Sequence, residues 1–291
     1  MMFSIGESEL IITPEGAIYH LDLRPEQLAD TIITVGDPAR VAAISQYFDR
    51  VDYKVQHREF ITHTGWIGKK RISVVSTGIG PDNIDIVLNE LDALVNIDFT
   101  TRTIKDQQRS LQIIRLGTSG SLQASIPTDS LVVADFGIGL DNLIHFYQLE
   151  NNVEELELLS KFEAHTMLEN ARVRPYIASS SRMLSNHFQQ GYYHGITLTC
   201  PGFYGPQGRV LRASLAYKHL IDSFTTFKHS LPITNFEMET SAIYGLGKIL
   251  KHHCLSINTI IANRVDKTFT KNATAAIDNM IQRSLAIIEK L

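Results

Sequence analysis

A strand that carries a charge is indicated by the stretch Ile113-Ile114-Arg115-Leu116-Gly117-Thr118-Ser119-Gly120-Ser121-Leu122. An apolar run meets a cluster of glycine, threonine and serine, which is typical of a buried strand that ends in a tight turn. The cation Arg115 is costly to bury unless it is paired. An arginine, backbone amides and hydroxyls at the carboxyl end of a strand suit an oxyanion such as phosphate. A strand whose arginine pairs with a neighbouring carboxylate, followed by an ordinary turn, fits this stretch equally well.

A second strand that ends at a glycine lies nearer the amino terminus. Residues 31–35 predict a strand, and Gly36-Asp37-Pro38 opens a helix, because Asp37 can cap it and Pro38 fits its first turn. Arg40 lies in that first turn, where the helix dipole disfavours a cation. An anion bound at the helix start would account for this arginine. The alternative is that Arg40 points to solvent.

Strands and helices alternate along the rest of the chain. A β-rich stretch is predicted at 51–66, and a loop around 137–141. Further strands are predicted at 71–76, 112–116, 131–135, 176–178, 193–199 and 256–262, and helices at 83–95, 153–171, 181–189 and 274–290. This alternation predicts an α/β fold with a largely parallel central sheet.

The candidate binding residues follow the ends of predicted strands. The turns at Gly36, Gly78, Gly117, Phe203 and Asn263 each come directly after such a strand. Ligands of open α/β sheets bind at the carboxyl ends of the strands. We therefore expect these turns to meet at one edge of the sheet and to form a single site.

The loop at 200–209 is rich in glycine and proline and also contains Phe203, Gln207 and Arg209. An aromatic ring can stack on a flat ligand, a glutamine offers a donor and an acceptor, and an arginine donates to carbonyl groups. The loop therefore suits a flat polar ligand. Without further context, however, a structural surface loop is the preferred interpretation.

Two carboxylates, Glu237 and Glu239, flank Met238 just before an apolar helix that runs to Leu250. A glutamate at the start of a helix can simply serve the helix dipole. A glutamate that faces a pocket can instead accept hydrogen bonds from a diol, such as that of a sugar. The sequence pattern fits both.

Size and composition favour one α/β domain over residues 1–291, with residues 1–30 as an N-terminal arm and 96–111 as a surface insertion. The net charge of −4 disfavours nucleic-acid binding, and the apolar runs are too short for a membrane span. Cys200 and Cys254 are the two cysteines, and their spacing is not that of a metal site or a disulfide framework. The N-terminus does not read as a signal peptide, so a cytoplasmic location is expected.

The ordered set of these stretches resembles the nucleoside phosphorylase family, and within it the uridine phosphorylases. The resemblance covers the chain from about His20 to the C-terminal helix, and its blocks lie at 36–40, 58–60, 76–80, 115–120 and 235–239. It implies a single-domain, three-layer α/β/α phosphorylase/hydrolase-like fold with a mixed, largely parallel central sheet. The family favours hexamers built from dimers, so self-association is expected.

The resemblance also implies a role for individual side chains. The residues that would hold phosphate are Gly36, Arg40, Arg115 and Thr118, with Arg58 supplied by a neighbouring subunit. Those near the ribose would be Thr118, Met238, Glu239 and, again from the neighbour, His20. Those at the base would be Phe203, Gln207, Arg209 and Arg264. The residues expected to contribute most to catalysis are Arg40, Arg115, Arg209 and Glu239.

The reaction implied is phosphorolysis of a pyrimidine nucleoside: uridine and phosphate give uracil and ribose 1-phosphate through an oxocarbenium-like transition state. Positioning and electrostatics would supply most of the catalysis. Phosphate is a co-substrate, and neither a cofactor nor a metal is expected. Segment 80–83 departs from the pattern of relatives that bind a monovalent cation, so that ion is not expected either.

Three alternatives stay open. A phosphorylase for purine or other nucleosides would use an acid near the last strand end, and Asp266 is the candidate. A nucleosidase would use water in place of phosphate, which the three candidate phosphate arginines disfavour. A non-catalytic nucleoside-binding protein would bind the same ligands without turnover.

Overall fold

A mixed β-sheet forms the centre of the computed structural model, which describes residues 4–168 and 172–291. Its strands are β1 (Thr31–Val35), β2 (Arg50–His57), β3 (Phe60–Ile67), β4 (Lys70–Ser76), β7 (Gln112–Ser121), β8 (Leu131–Gly139), β9 (Tyr176–Ser179), β10 (Tyr193–Thr199), β11 (Ile233–Glu237), β12 (His253–Asn263) and β13 (Thr268–Phe269). Their order is β13-β12-β8-β10-β11-β7-β1-β4-β3-β2, with β9 beside β8. The strands β5 (Ile97–Asp98) and β6 (Thr103–Ile104) form a separate hairpin.

Parallel pairs lie in the middle of the sheet: β1 pairs in parallel with β4 and β7, β10 with β8 and β11, and β12 with β7. Antiparallel pairs join β2, β3 and β4 at one edge and β12 to β13 at the other. Because β12 also pairs with β8, and β11 with β7, the strands β7, β12, β8, β10 and β11 close into a ring.

Helices cover both faces of the sheet. Their bounds are α1 (Pro38–Ser45), α2 (Pro81–Asn96), α3 (Val153–Thr166), α4 (Arg182–Ser185), α5 (Leu220–Thr225), α6 (Thr240–Ile249) and α7 (Ala273–Ile288). Ile32 and Ile113 pack in one buried cluster with α2 and α6, whereas Ile33 and Ile114 pack in another with α1 and α7. Adjacent strand residues point to opposite faces, so both faces are buried and the strands read as continuous apolar runs. The predicted three-layer α/β/α fold is confirmed.

One prediction about the central strand is wrong. The strand does not end in a turn at Gly117 but continues as β7 to Ser121. Its last residues leave β1 and stay paired with β12, while Gly120 and Ser121 gain β11 as an antiparallel neighbour. Gly117 leaves room for the side chain of Arg115, since a Cβ on Gly117 would lie 1.7 Å from a guanidinium nitrogen of Arg115.

Several predicted bounds also shift. β8 extends into the loop expected around 137–141, because it pairs with β9 and β10 as far as Gly139. The helix predicted at 153–171 ends at Thr166, where Met167 adopts a left-handed conformation (φ 50°), and Ala171 lies outside the described residues. The helix predicted at 181–189 is helical only over Arg182–Ser185. The helix α5 was not predicted.

The N-terminal segment packs onto the domain, since Leu21, Leu23 and Leu28 are buried in the cluster with α2. Segment 96–111 contains the β5–β6 hairpin. In the described ranges, no helix has the length and apolar character needed to cross a membrane.

Candidate active site

A cavity of about 630 Å³ opens at the carboxyl ends of the central strands. Nine of the residues predicted for the site line it: Gly36, Arg40, Arg115, Thr118, Phe203, Gln207, Arg209, Met238 and Glu239. They come from β7 and from the segments that follow β1, β10 and β11. The parallel topology therefore brings distant stretches of the chain to one site.

One end of the cavity is suited to an anion. Asp37 caps α1, since its carboxylate accepts a hydrogen bond from the amide of Ala39 at 2.9 Å, as the sequence predicted. Arg40 turns inward and donates from Nη1 to the carbonyl of Leu116 at 3.2 Å. Burial and the nearby cation of Arg115 lower the pKa of Arg40. Two inward guanidinium groups beside a helix N-terminus favour a bound anion.

The buried guanidinium of Arg115 lies between two carboxylates. Nη2 donates to Oε2 of Glu239 and lies 3.3 Å from Oε2 of Glu237. Nη1 donates to Oδ1 of Asn258 at 2.9 Å. Burial alone would lower the pKa of Arg115, but the two carboxylates outweigh it and raise the pKa. The charge in β7 is thus paired, as its burial requires.

Glu237 is fixed from several sides. Its carboxylate accepts hydrogen bonds from the hydroxyl of Thr199 at 2.8 Å, from the amide of Glu239 at 2.9 Å and from the amide of Thr240 at 3.0 Å. It therefore serves the first turn of α6 as well as Arg115. Its position at the start of α6 agrees with a glutamate that serves the helix dipole, and it also lines the cavity.

Glu239 bridges two parts of the cavity wall. Its Oε1 accepts a hydrogen bond from the amide of Gly80 at 2.8 Å, and its Oε2 accepts from Arg115. Burial raises the pKa of Glu239, and the opposing charge of Arg115 limits the rise. The carboxylate is held beside Met238 and faces the cavity, as a diol-binding group must.

The other end of the cavity carries the loop residues. The guanidinium of Arg209 lies 3.7 Å from the ring centre of Phe203 and donates to the Phe203 carbonyl at 2.7 Å and to Oε1 of Gln207 at 2.5 Å. Burial and the nearby Arg264 lower the pKa of Arg209 to about 10, so it stays charged at neutral pH. Because Oε1 of Gln207 accepts from Arg209, the NH2 group of Gln207 can donate to a ligand.

The sequence profile of the Phosphorylase superfamily matches residues 30–291. The chain belongs to this superfamily. A uridine phosphorylase of Thermococcus kodakarensis is 31% identical over 266 residues, which is 89% of this chain and 82% of that protein. A purine nucleoside phosphorylase DeoD-type of Buchnera aphidicola is 23% identical over 269 residues, which is 91% of this chain and 97% of that protein.

Among solved structures, a Trypanosoma brucei nucleoside phosphorylase aligns with a TM-score of 0.87 and 30% identity over 97% of this chain and 98% of its own. That structure is described as showing uridine phosphorylase activity. The phosphorylase fold inferred from the ordered motifs is thus confirmed over nearly the full length of the chain.

Three of the residues predicted for the site do not line the cavity. Arg264 lies against the loop at 200–209: its Nη1 donates to the Gln207 carbonyl at 3.2 Å, and its guanidinium lies 5.4 Å from the ring centre of Phe236. Arg58 (φ 53°) is exposed, 5.5 Å from the ring centre of Tyr19.

The third is His20, whose Nδ1 lies 2.6 Å from Oε1 of Glu90. His20 and Arg58 share one surface, because Arg58 also approaches the hydroxyl of Tyr19, the residue before His20, at 3.4 Å. Neither side chain lines the cavity of its own chain, although Glu59, the residue after Arg58, does.

The sequence interpretation missed several residues of the site. Glu237 was noticed but had no assigned role, although its two-residue spacing from Glu239 places both beside one cation. Phe236 and Phe269 also line the cavity. Asn258 gave no signal, because a polar residue inside an apolar strand becomes informative only when its neighbours are known.

Asp266, the candidate acid of a purine phosphorylase, is exposed and is not part of the cavity wall. Its amide donates to Oδ1 of Asn263 at 3.0 Å in the turn after β12. Among the described residues, no group of histidine, cysteine, aspartate and glutamate is arranged to hold a metal ion.

Proposed function

We propose that the chain is a pentosyltransferase that cleaves uridine with phosphate to give uracil and ribose 1-phosphate. The observation that carries the proposal is that the two ends of the cavity present different sets of hydrogen-bond donors. Its anion end presents Arg40 and Arg115, and its base end presents donors from Arg209 and Gln207. Phosphate and the carbonyl oxygens of uracil are the acceptors that such a cavity suits.

In the proposed reaction, an oxygen of phosphate forms a bond to C1′ while the bond between C1′ and N1 of uracil breaks. The electron pair of the broken bond goes to the uracil ring, and a proton carried by the phosphate passes to the uracil anion, directly or through water, to give neutral uracil. The sugar gains positive charge in the transition state, and phosphate held by Arg40 and Arg115 stabilises that charge from one side. The enzyme thus acts mainly through positioning and preorganised charge.

Glu239 is proposed to orient the sugar. Its carboxylate faces the cavity between the two ends and is anchored by Gly80 and Arg115. A carboxylate that accepts from both ribose hydroxyls holds C1′ against the phosphate. Met238 would pack on the sugar, and Thr118, which also lines the cavity, would contact phosphate and ribose.

The leaving group is proposed to be stabilised at its oxygens. Negative charge on departing uracil spreads to its carbonyl oxygens, and Arg209 and the Gln207 amide would donate to them. Phe203 positions Arg209 from one side, and Arg264 supports the loop from behind. The exposed position of Asp266 disfavours protonation of a purine nitrogen.

The site is further proposed to be shared between subunits. His20 and Arg58 lie together on a surface outside the cavity of their own chain. In a dimer, this surface would complete the neighbour's site, with Arg58 at the phosphate and His20 at the 5′-hydroxyl. A hexamer built from such dimers is the assembly that we propose.

The test is release of free base from uridine, thymidine and inosine, each with and without phosphate. Phosphate-dependent release of uracil supports the proposal. Faster release of hypoxanthine would assign the chain to purines, and release without phosphate would make it a nucleosidase. Binding of uridine without any release would indicate a non-catalytic protein.

A further inference from the structure

We infer that Asn258 is a positioning residue for the phosphate site, acting through Arg115; this inference rests on the proposed function. Asn258 lies in β12 opposite Gly117 of β7 and is fully buried. Its Oδ1 accepts from Nη1 of Arg115 at 2.9 Å. It holds the side of the guanidinium that the two carboxylates leave free.

The space around this contact is made by a missing side chain. A Cβ on Gly117 would lie 1.7 Å from Nη1 of Arg115 and 2.7 Å from Oδ1 of Asn258. Gly117 therefore leaves room for the hydrogen bond. Two neighbouring strands therefore form this hydrogen bond together. Strand β7 supplies Arg115 and the space at Gly117, and β12 supplies the acceptor Asn258.

The charge of the acceptor matters. Nη2 of Arg115 already meets Glu239 and lies 3.3 Å from Glu237, so two negative charges surround one positive charge. A third carboxylate would further offset the attraction of Arg115 for phosphate. The amide oxygen of Asn258 fixes Nη1 without adding charge, and the second Nη1 hydrogen remains for an anion.

Asn258 is itself linked to the start of α6. Its Nδ2 lies 3.4 Å from the hydroxyl of Ser256, which lies 2.7 Å from the hydroxyl of Thr240. Thr240 is the first residue of α6 and follows Glu239 directly. The side chain of Asn258 is thus oriented with its oxygen towards Arg115 and its nitrogen towards the helix that carries the proposed ribose carboxylate.

The experiment compares wild type with Asn258→Asp, Asn258→Ala and the control Thr259→Val. Asn258→Asp keeps the size and the acceptor oxygen but adds a charge. Thr259 is the next residue of β12, and its buried hydroxyl has no hydrogen-bond partner among the residues that the structure describes. This control therefore reports any general disturbance of the strand. The thermal midpoint of each variant without phosphate shows that it folds.

Phosphate affinity is measured by titration calorimetry, and KM values for phosphate and uridine by initial rates. We expect Asn258→Asp to weaken phosphate binding about tenfold or more and Asn258→Ala about fivefold. The KM for uridine should change about twofold or less, and Thr259→Val should match wild type. A merely structural role would instead lower the thermal midpoint without separating the two KM values.

Binding and turnover separate the two proposals. If wild type binds phosphate and the Asn258 variants bind it more weakly, the inference holds even if no nucleoside is cleaved. Equal phosphate affinity in wild type and Asn258→Asp would overturn it, as would wild-type protein that does not bind phosphate. If Asn258→Ala fails to fold, the near-isosteric Asn258→Asp still decides the question.

Discussion

The guanidinium of Arg115 donates directly to the carboxylate of Glu239, so the residue proposed for phosphate and the residue proposed for ribose form one buried ion pair. Glu239 in turn accepts from the amide of Gly80, which fixes its second oxygen. A change at either member of the pair should therefore affect both substrate sites.

Glu239→Gln keeps the shape of this side chain and removes its charge. We expect kcat/KM for uridine to fall about 10- to 100-fold, because hydrogen bonds from the diol to a charged acceptor are lost. Phosphate affinity should not fall, since Arg115 then faces one carboxylate fewer. Initial rates with both substrates varied measure the two effects separately.

The same variant discriminates between sugars. 2′-Deoxyuridine has only one hydroxyl of the diol. We therefore expect Glu239→Gln to lower kcat/KM less for 2′-deoxyuridine than for uridine. Glu154→Gln, on the exposed side of α3, is the matched control and should behave as wild type. An equal fall in kcat/KM for both nucleosides would show that Glu239 does not bind the diol.

Arg209→Ala tests the base end. We expect kcat/KM for uridine to fall about 100-fold, because a charged donor to the leaving group is lost from a partly buried position. The KM for phosphate should stay within about twofold, since Arg209 lies at the opposite end. Arg182→Ala removes an exposed arginine and serves as control. Unchanged turnover would place the base elsewhere.

Much of this arrangement could be predicted from local pattern. Asp37, Pro38 and Arg40 lie where the strand–glycine–helix motif placed them, and Arg115 is paired with a carboxylate, as its burial predicted. These predictions succeed because capping and charge burial depend on a few neighbouring residues.

What could not be predicted depends on strand register. The continuation of β7 beyond Gly117 requires β12 and β11 as neighbours, and both lie more than a hundred residues later in the chain. The contact between Asn258 and Arg115 exists only in that register. The local sequence around Gly117 and Gly120 reads as a turn because glycine favours turns as well as close packing.

A shared site predicts complementation between two defective variants. Arg58→Ala should impair the site of the neighbour, and Glu239→Gln the site of its own chain. In a coexpressed mixture of the two, random pairing gives dimers in which about a quarter of all sites have both residues intact. Recovery of about a quarter of wild-type activity is expected.

The complementation control is coexpression of Arg209→Ala with Glu239→Gln, since both residues line the cavity of one chain. We expect no recovery in this control, because every site then carries one of the two defects. Recovery would require that a site draws one of these two residues from the neighbour. Recovery in the control but not with Arg58→Ala would contradict the shared site.

Asp266→Ala tests the purine alternative. Because Asp266 is exposed and its backbone is held by Asn263, we expect unchanged kcat/KM for uridine, within about twofold. Activity on inosine, measured in parallel, should be no lower in the variant than in wild type. A selective loss on inosine would show that this carboxylate reaches a purine base.

His194 should make stability depend on pH. Its Nδ1 lies 3.0 Å from the carboxylate of Asp135 and its Nε2 lies 3.0 Å from the carbonyl of Phe188, so both nitrogens face acceptors and the imidazolium form is favoured. The hydrogen bond to Asp135 raises the pKa of His194. The resulting stabilisation is complete below the unfolded pKa of about 6.5 and is lost as pH rises through the higher folded value.

We expect His194→Gln to lower the thermal midpoint by about 2 °C at pH 6 and by less than half of that at pH 9. The exposed His187→Gln is the control, and a difference between wild type and His194→Gln that is the same at both pH values would rule out the charged pair.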